Sequence, residues 1–523
     1  MNRSGDGRNG ANPTAHGPNG ARPNGANPNG AGPNGASPND ARPNGANGAN
    51  PKSAKGANHV VIPSGGPPAR RRGIAIVPTG RPFIGMSAIP RLRAFGAALG
   101  MTAVLGASLQ AQTQMPTYVI RGGTVVPVVG AQIPNGTVVI QNGKIQAVGA
   151  NVQAPQGATV IDATGLFVYP GMIDAGTTIG LTEIGSVPGS TDTREIGDFN
   201  PQDVALTAVN AHSELIPVSR VNGVTTVITS ATGALMSGNA ALIDLWGWTP
   251  DEMGINARVA QVMSYPSAGG GGRGGGGGFG NRPAGDAAET MTRQVRALRD
   301  FFADARAYAD VKAKTAANAP NAPRVNQAME ALMPALKGQV PVIFDVSNVD
   351  QIRGVLTLAD TFKLKVILRG ARDAWRLADT LAARGIPVIV GPTTQAPGPD
   401  DPYDALYAQP GVLAKAGVKI AFQTSGASDV RDLPYNAALA TAYGLEMDEA
   451  IKALTINPAQ MFGVADRYGS LEAGKIANVV VTTGNPLDVR SNVKYLFIRG
   501  QAIPLTDRHT KLYEQFRARP KPQ

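Results

Sequence analysis

The stretch that decides the fold class is residues 364–392, LKVILRGARDAWRLADTLAARGIPVIVGP. Its two ends, KVILRG and IPVIVGP, are short and continuously apolar, as parallel strands that are buried on both faces require. Between these ends, apolar residues recur at helical spacing, namely Ala371, Ala374, Trp375, Ala378, Leu381 and Ala382. The stretch therefore predicts a strand, a helix with one face packed on a sheet, and a second parallel strand.

Similar apolar runs occur across the middle of the chain. They are VTTVITSA at 224–231, QVPVIFDV at 339–346 and VKIAFQTS at 418–425. Repeated βα units over roughly 290 residues predict a (β/α)8 TIM-like barrel, whose functional sites lie at the C-terminal ends of its strands. We assign residues 170–467 to this barrel.

One segment interrupts the barrel at residues 268–285, which include GGGGRGGGGGFG. The segment matches neither a dinucleotide-binding fingerprint nor a phosphate-binding P-loop, because no strand immediately precedes it and no Gly-Lys-Ser/Thr follows. It is predicted to be a flexible insertion in a βα loop.

Both ends of the folded part are rich in Val and Ile, with Gly, Pro and Asn between the apolar runs. These ends are residues 117–169 and 468–505, and the first of them contains an Asn142-Gly143 pair between two apolar runs. Asn-Gly is a strong signal for a two-residue β-hairpin turn. Two β-rich ends that enclose an α/β middle predict one small β-sandwich composed of both segments.

The first 111 residues differ from the rest in composition. Residues 1–85 contain repeats of Pro-Asn-Gly-Ala with few large apolar side chains, so they are predicted to be disordered. Residues 86–111 have the layout of a signal peptide: Arg91 and Arg93, an apolar run from Ala94 to Leu109, and the small residue Ala111. We therefore expect export to the periplasm or the cell exterior, with Met86 as the true start of the chain.

An uncleaved signal segment remains the alternative, and it is the one route to a membrane that the sequence offers. The apolar run is short for a membrane span, which needs about 20 residues.

The charge of the chain lies in this N-terminal part. Of the net charge of +11, residues 1–111 carry 12 Lys/Arg and 2 Asp/Glu, which leaves 36 basic and 35 acidic residues for the other 412. Without a basic stripe in the body of the chain, we predict no nucleic-acid binding. The chain has no Cys, which excludes disulfides, thiol nucleophiles and Cys-based metal sites.

Several blocks make the chain similar to a known family. They are GKIQAVG (143–149), PGMIDA (170–175), NGVTTV (222–227), SGNAALIDLWGWTPDEM (237–253), LPYNAALATAYGLEMDEAIKALTINPAQMFGV (433–464) and GSLEAGKIANVVV (469–481). In order and spacing they resemble the metal-dependent amidohydrolase superfamily, on its imidazolonepropionase-like branch, over residues 117–505. The resemblance implies a barrel with one or two divalent metals, usually zinc, that activate water to hydrolyse non-peptide C–N bonds of a small amide-type substrate.

The resemblance fails at the metal ligands. In the family the first barrel strand ends in Asp-x-His-x-His, and here the two His positions are Gly176 and Thr178, while the supporting Asp174 remains. Later strands of the family supply two more His and an Asp. The corresponding positions are Asp345, Gly370 and Ser425.

Few other residues could replace these ligands. The four His are His16, His59, His212 and His509, and His212 is the one inside the predicted barrel. A surface or packing role is the better interpretation of a lone His on a helix or loop. Oxygen ligation of Mg²⁺ or Ca²⁺ by Asp174, Asp345, Asp429 and either Glu183 or Glu195 stays an alternative, although no motif places enough of these carboxylates together.

Two functions remain open from the sequence. One is a hydrolase of C–N bonds with an unusual site, and the other is a non-catalytic exported binding module or partner subunit of an active relative. Because ligands are missing at every expected strand, we favour inactivity in zinc-dependent hydrolysis and assign no catalytic residue, metal ligand or cofactor. Homo- or hetero-oligomers are both compatible with the sequence.

Overall fold

A computed structural model describes residues 115–267, 284–316, 319–398 and 401–520. The predicted disordered segment, the predicted signal segment and most of the glycine-rich insertion lie outside these residues. Within the described ranges, no helix is long and apolar enough to cross a membrane.

The described residues form β-strands and α-helices in the following order. The strands are β1 Tyr118–Val125, β2 Ile133–Gln141, β3 Lys144–Gly149, β4 Thr159–Asp162, β5 Phe167–Pro170, β6 Met172–Thr177, β7 Val224–Thr229, β8 Met236–Asp244, β9 Gly254–Ser264, β10 Val342–Val346, β11 Val366–Gly370, β12 Val388–Val390, β13 Ile420–Phe422, β14 Val479–Thr482, β15 Val493–Ile498 and β16 Gln501–Ala502. The helices are α1 Leu215–Arg220, α2 Pro250–Met253, α3 Ala284–Lys314, α4 Gln327–Leu336, α5 Val349–Phe362, α6 Ala378–Ala383, α7 Ala405–Lys415, α8 Leu433–Ala442, α9 Met447–Leu454, α10 Ile456–Met461 and α11 Arg508–Arg517.

Strands β6 to β13 form an eight-stranded sheet in which the strands lie in chain order. This sheet is the predicted TIM-like barrel, so the fold prediction is confirmed. One strand departs from the all-parallel arrangement of a (β/α)8 barrel, because β8 runs antiparallel to both β7 and β9. Residues 230–235 are all that connect β7 to β8, and a parallel crossover needs about a dozen residues or more.

Alternate residues of the barrel strands point inward and form an apolar layer. These are Ile173, Ala175, Ile228, Ala240, Leu242, Ala260, Val262, Ile343, Ile367, Ile389 and Ala421. Neighbouring positions such as Val342 and Phe344 belong to a second apolar cluster, shared with the surrounding helices. The next inward positions toward the C-terminal strand ends are polar, and they include Asp345 and Arg369.

The second sheet has the order β16-β15-β14-β5-β1-β2-β3, with β4 paired to β1. It encloses its own apolar core, which includes Ile120, Val138 and Phe497, and forms the predicted β-sandwich from both ends of the chain. Asn142 and Gly143 connect β2 to β3 with φ angles of 51° and 77°. Two positive φ angles are what a type I′ hairpin turn requires, so the predicted hairpin is present.

A buried carboxylate helps to close the barrel between its first and last strands. The Oδ1 atom of Asp174, at the middle of β6, accepts hydrogen bonds from the backbone N–H of Gly176 at 3.0 Å and of Thr424 at 3.2 Å. Its Oδ2 atom accepts from the hydroxyl of Thr424. The N–H of Ser425 also donates to the carbonyl of Gly176 at 2.8 Å. Residues just after β13 are thereby fixed to β6.

A second buried carboxylate joins the barrel to the sandwich. Asp244, at the end of β8, accepts hydrogen bonds from Thr226 at 3.0 Å, Asn478 at 2.7 Å and Tyr468 at 3.3 Å. The Nε atom of Arg499 lies 3.3 Å from its Oδ2 atom. Burial raises the pKa of Asp244, although Arg499 and these hydrogen bonds act in the opposite direction.

The Asp244 network predicts that the substitution Arg499→Met lowers the free energy of unfolding by a large amount. The change leaves a buried carboxylate without its positive partner, and breaking a buried ion pair in this way costs about 3–5 kcal/mol of unfolding free energy. Urea denaturation followed by circular dichroism measures the loss. Arg490→Met is the matched control, because Arg490 pairs with Asp488 at the surface with its side chain 87% exposed. We expect about 0–1 kcal/mol for this exposed pair, and equal losses in the two variants would contradict the role of Arg499.

Asp174 predicts a dependence of stability on pH. Burial raises its pKa from 3.8 to about 7, against the lowering effects of the hydrogen bonds from Thr424 and Gly176 and of the charge on Arg369. A carboxyl with a higher pKa in the folded state binds its proton more tightly when folded. Its contribution to stability is therefore complete below pH 3.8 and is lost as the pH rises through about 7.

The variant Asp174→Asn separates this contribution from the others. The amide oxygen can accept both backbone N–H groups, and the amide nitrogen can donate to the hydroxyl of Thr424. We expect the unfolding free energy of the variant to change less than that of the wild type between pH 3.8 and about 7, as measured by urea denaturation across this range. Parallel pH profiles for the two proteins would show that Asp174 does not titrate in this way.

Candidate functional site

The candidate site is the end of the barrel at which the parallel strands terminate, here called the barrel mouth. Functional side chains of such barrels come from the C-terminal ends of their strands. In this chain the inward-facing residues at these ends are Gly176 from β6, Ser230 after β7, Asp345 from β10, Arg369 from β11 and Gln423 after β13. Arg369 contacts Asp345 and Ser230, and Gly176 lies beside Arg369 and Gln423, as the following distances show.

Arg369 is the central residue of the barrel mouth. Its Nε atom donates to Oδ1 of Asp345 at 2.5 Å, and its Nη2 atom donates to Oδ2 at 2.8 Å. This bidentate pairing is the strong form of an Arg–carboxylate contact. The Nη1 atom donates to the hydroxyl of Ser230 at 3.0 Å. Because the sheet order from β11 to β7 is β11-β10-β9-β8-β7, the guanidinium connects opposite sides of the eight-stranded barrel.

Arg369 is the more deeply buried member of this ion pair. The side chain of Arg369 is 5% exposed, while that of Asp345 is 31% exposed. Burial acts to lower the pKa of Arg369, but attraction to Asp345, the hydrogen bonds to Asp345 and attraction to Asp174 outweigh it and raise the pKa. The guanidinium of Arg369 is therefore a permanently charged group in the barrel mouth.

Gly176 leaves the space that Arg369 and Gln423 fill. A Cβ atom built on Gly176 would lie 2.5 Å from Oε1 of Gln423 and 3.2 Å from Cδ of Arg369. Gln423 is held in place by a hydrogen bond from its Nε2 atom to the carbonyl of Gly391 at 2.9 Å. An imidazole at position 176 would require both neighbouring side chains to move.

The other positions singled out from the sequence have different surroundings. Thr178 is half-buried just beyond the end of β6, and Ser425 is exposed. Ser425 also has a left-handed φ of 67°, which is uncommon for a residue other than Gly, Asn or Asp. Gly370 ends β11 with φ 77°, and it is Arg369, two residues after the inward-facing Ile367, that points into the barrel.

Sequence reasoning missed Arg369, Ser230 and Gln423 as members of the site. The signal for Arg369 was present, because side chains two residues apart on a strand share a face and Ile367 is part of the apolar run. Ser230 and Gln423 follow their strands directly, so the same alternation identifies them once the strand ends are known.

The remaining sequence candidates lie away from this cluster of contacts. The exposed ring of His212 lies 6.5 Å from the ring of Trp248. Glu183 accepts hydrogen bonds from Asn210 at 3.1 Å and Ser213 at 3.0 Å, so it stabilises its own loop. In the described ranges, no three His, Asp or Glu side chains approach closely enough to hold a metal ion.

The divalent metal that the resemblance implies does not fit the residues of the barrel mouth. Both carboxylate oxygens of Asp345 accept hydrogen bonds from Arg369. Both oxygens of Asp174 accept hydrogen bonds that connect the first and last strands. A permanent guanidinium charge beside Gly176 would repel a dication, and metal ligation requires free anionic or imidazole donors.

Comparisons with known proteins agree with the sequence resemblance. Residues 406–503 match the amidohydrolase family. Imidazolonepropionases from two strains of Porphyromonas gingivalis are 41% identical over 81 residues, a match that covers 15% of this chain and spans only 19% of the length of each relative.

The fold is shared over a longer part of the chain. The crystal structure of an amidohydrolase from Thermotoga maritima is similar with a TM-score of 0.66 and 26% identity, and the match covers 74% of this chain and 99% of that one. The chain is therefore similar to the amidohydrolase family in sequence over residues 406–503, and similar in fold to an amidohydrolase over 74% of its length.

Proposed function

We propose that this chain is an amidohydrolase-family protein that no longer performs zinc-dependent hydrolysis and acts as an exported binding module. The observation that carries the proposal is the bidentate ion pair between Arg369 and Asp345, which extends to Ser230 across the barrel mouth. A binding role needs the barrel, which is retained, and does not need a metal.

The chemistry of hydrolysis supports this proposal. A metal in such an enzyme lowers the pKa of a bound water and polarises the substrate carbonyl. A guanidinium can donate hydrogen bonds to an oxyanion, but it has no open coordination position at which water could lose a proton. The carboxylates nearest to it, Asp345 and Asp174, are engaged in the ion pair and in barrel closure, so neither is free as a general base.

A second candidate is a hydrolase of non-peptide C–N bonds, and the match of residues 406–503 to the amidohydrolase family favours it. The family resemblance would give this activity a small amide-type substrate. It would need either a metal held by residues other than those of the family pattern or a metal-independent route.

Metal analysis and activity assays of the purified mature protein test the two candidates. We expect far less than one zinc per chain by mass spectrometry, and no hydrolysis of an amide and cyclic-amide panel above the rate in buffer. A zinc-dependent amidohydrolase prepared in the same buffers is the positive control. Stoichiometric zinc together with amide hydrolysis that disappears on chelation would establish the second candidate instead.

Export is the second part of the proposal, and it rests on the sequence of residues 86–111. Arg91 and Arg93, followed by the apolar run from Ala94 to Leu109, have the order of a signal peptide. N-terminal sequencing of the native protein should find a mature terminus shortly after Ala111. A native terminus upstream of Met86 would contradict both cleavage and the proposed start.

A further inference from the structure

We propose that the guanidinium of Arg369 takes the place of the metal cation in this barrel, and that this residue by itself prevents metal binding even where metal ligands are restored. The inference rests on the proposed loss of zinc-dependent hydrolysis and goes beyond it. Missing ligands explain why a metal is not held, whereas a resident cation explains why the barrel mouth is stable without one.

The first argument is position. The Cδ atom of Arg369 lies 3.2 Å from the point where a Cβ of residue 176 would be. Position 176 holds the first imidazole in the family pattern. The Nη1 atom of Arg369 ends 3.0 Å from the hydroxyl of Ser230, on the far side of the barrel. Gly176 and Arg369 are therefore complementary, because the long side chain uses the space that the absent one leaves.

The second argument is charge. Two acidic side chains lie within electrostatic reach of the guanidinium, the inward-facing Asp345 and the buried Asp174. Arg369 interacts electrostatically with both of them. One fixed monovalent cation thus provides the attraction that a bound dication would otherwise provide, and it does so with directed hydrogen bonds to Asp345 and Ser230.

The third argument is that the carboxylate oxygens that could bind a metal are already occupied by hydrogen bonds. A carboxylate that accepts two hydrogen bonds from one guanidinium must give them up before it can bind a metal ion. Asp345 is in that state through both of its oxygens. Restored imidazoles at positions 176 and 178 would therefore face a cation and an occupied carboxylate.

A matched set of variants tests the inference. The starting variant has Gly176→His, Thr178→His, Ser425→Asp and Gln423→Ala, the last to relieve the 2.5 Å contact at position 176. It is compared with the same variant carrying Arg369→Leu, which removes the charge without adding a ligand, and with one carrying Arg369→Lys, which keeps the charge. Each protein is equilibrated with zinc, passed through a desalting column and analysed for zinc per chain.

We expect about one zinc per chain with Leu at position 369, and close to none with Arg or Lys. Equal zinc in the Arg and Leu forms, or no zinc in the Leu form, overturns the inference. Zinc in the wild-type protein itself is a separate result, because it would instead contradict the proposed function.

Thermal unfolding of simpler variants keeps the inference testable if the multiple variants do not fold. Arg369→Leu alone should lower the melting temperature by about 5 °C or more, since it leaves the partly buried carboxylate of Asp345 without its cation. Adding Asp345→Asn to the Arg369→Leu variant should recover part of the lost melting temperature. Arg369→Lys should lower the melting temperature less than Arg369→Leu does. Additive losses, or equal losses for Lys and Leu, would show that the charge of Arg369 is not what the barrel mouth requires.

Discussion

The barrel depends on the hydrogen bonds that the Asp174 carboxylate accepts. The first and last strands are more than two hundred residues apart in sequence, and the side chain of one residue on β6 holds the backbone and hydroxyl of Thr424 just after β13. Closure in turn fixes the strand ends that form the barrel mouth. This structural role explains why Asp174 can remain in a chain in which Gly176 has no imidazole, because the carboxylate has a function that needs no metal.

Much of the fold could be predicted from the sequence because it follows from periodicity. The apolar runs around residues 364–392 became β11 and β12, as continuous apolar strands between helices must in a barrel. The direction of β8 could not be predicted in this way, since a buried strand has the same composition in either direction. Only the short connection at residues 230–235 carries that information, and its meaning depends on knowing where β7 ends.

The absence of the family's metal ligands from the barrel mouth could be predicted from the sequence, whereas the side-chain contacts that are present there could not. Gly176, Thr178 and Ser425 could be identified by comparison with a family pattern, residue by residue. The pairing of Arg369 with Asp345 and with Ser230 joins three strands, and no local pattern states which side chains meet across a barrel. Alternation along β11 indicates that Arg369 faces inward, but its partners depend on the closed sheet.

The buried carboxylate of Asp244 has a consequence for the order in which the chain can fold. One of its hydrogen-bond donors, Asn478, lies 234 residues further along the chain, and Arg499 comes later still. During synthesis all eight barrel strands, β6 to β13, are complete well before these residues leave the ribosome. Until then Asp244 has neither its positive partner nor the amide of Asn478, and the N-terminal strands of the sandwich have no β14 to pair with. The Asp244 contacts and the pairing of β5 with β14 can therefore form only after residues 478–499 have been synthesised.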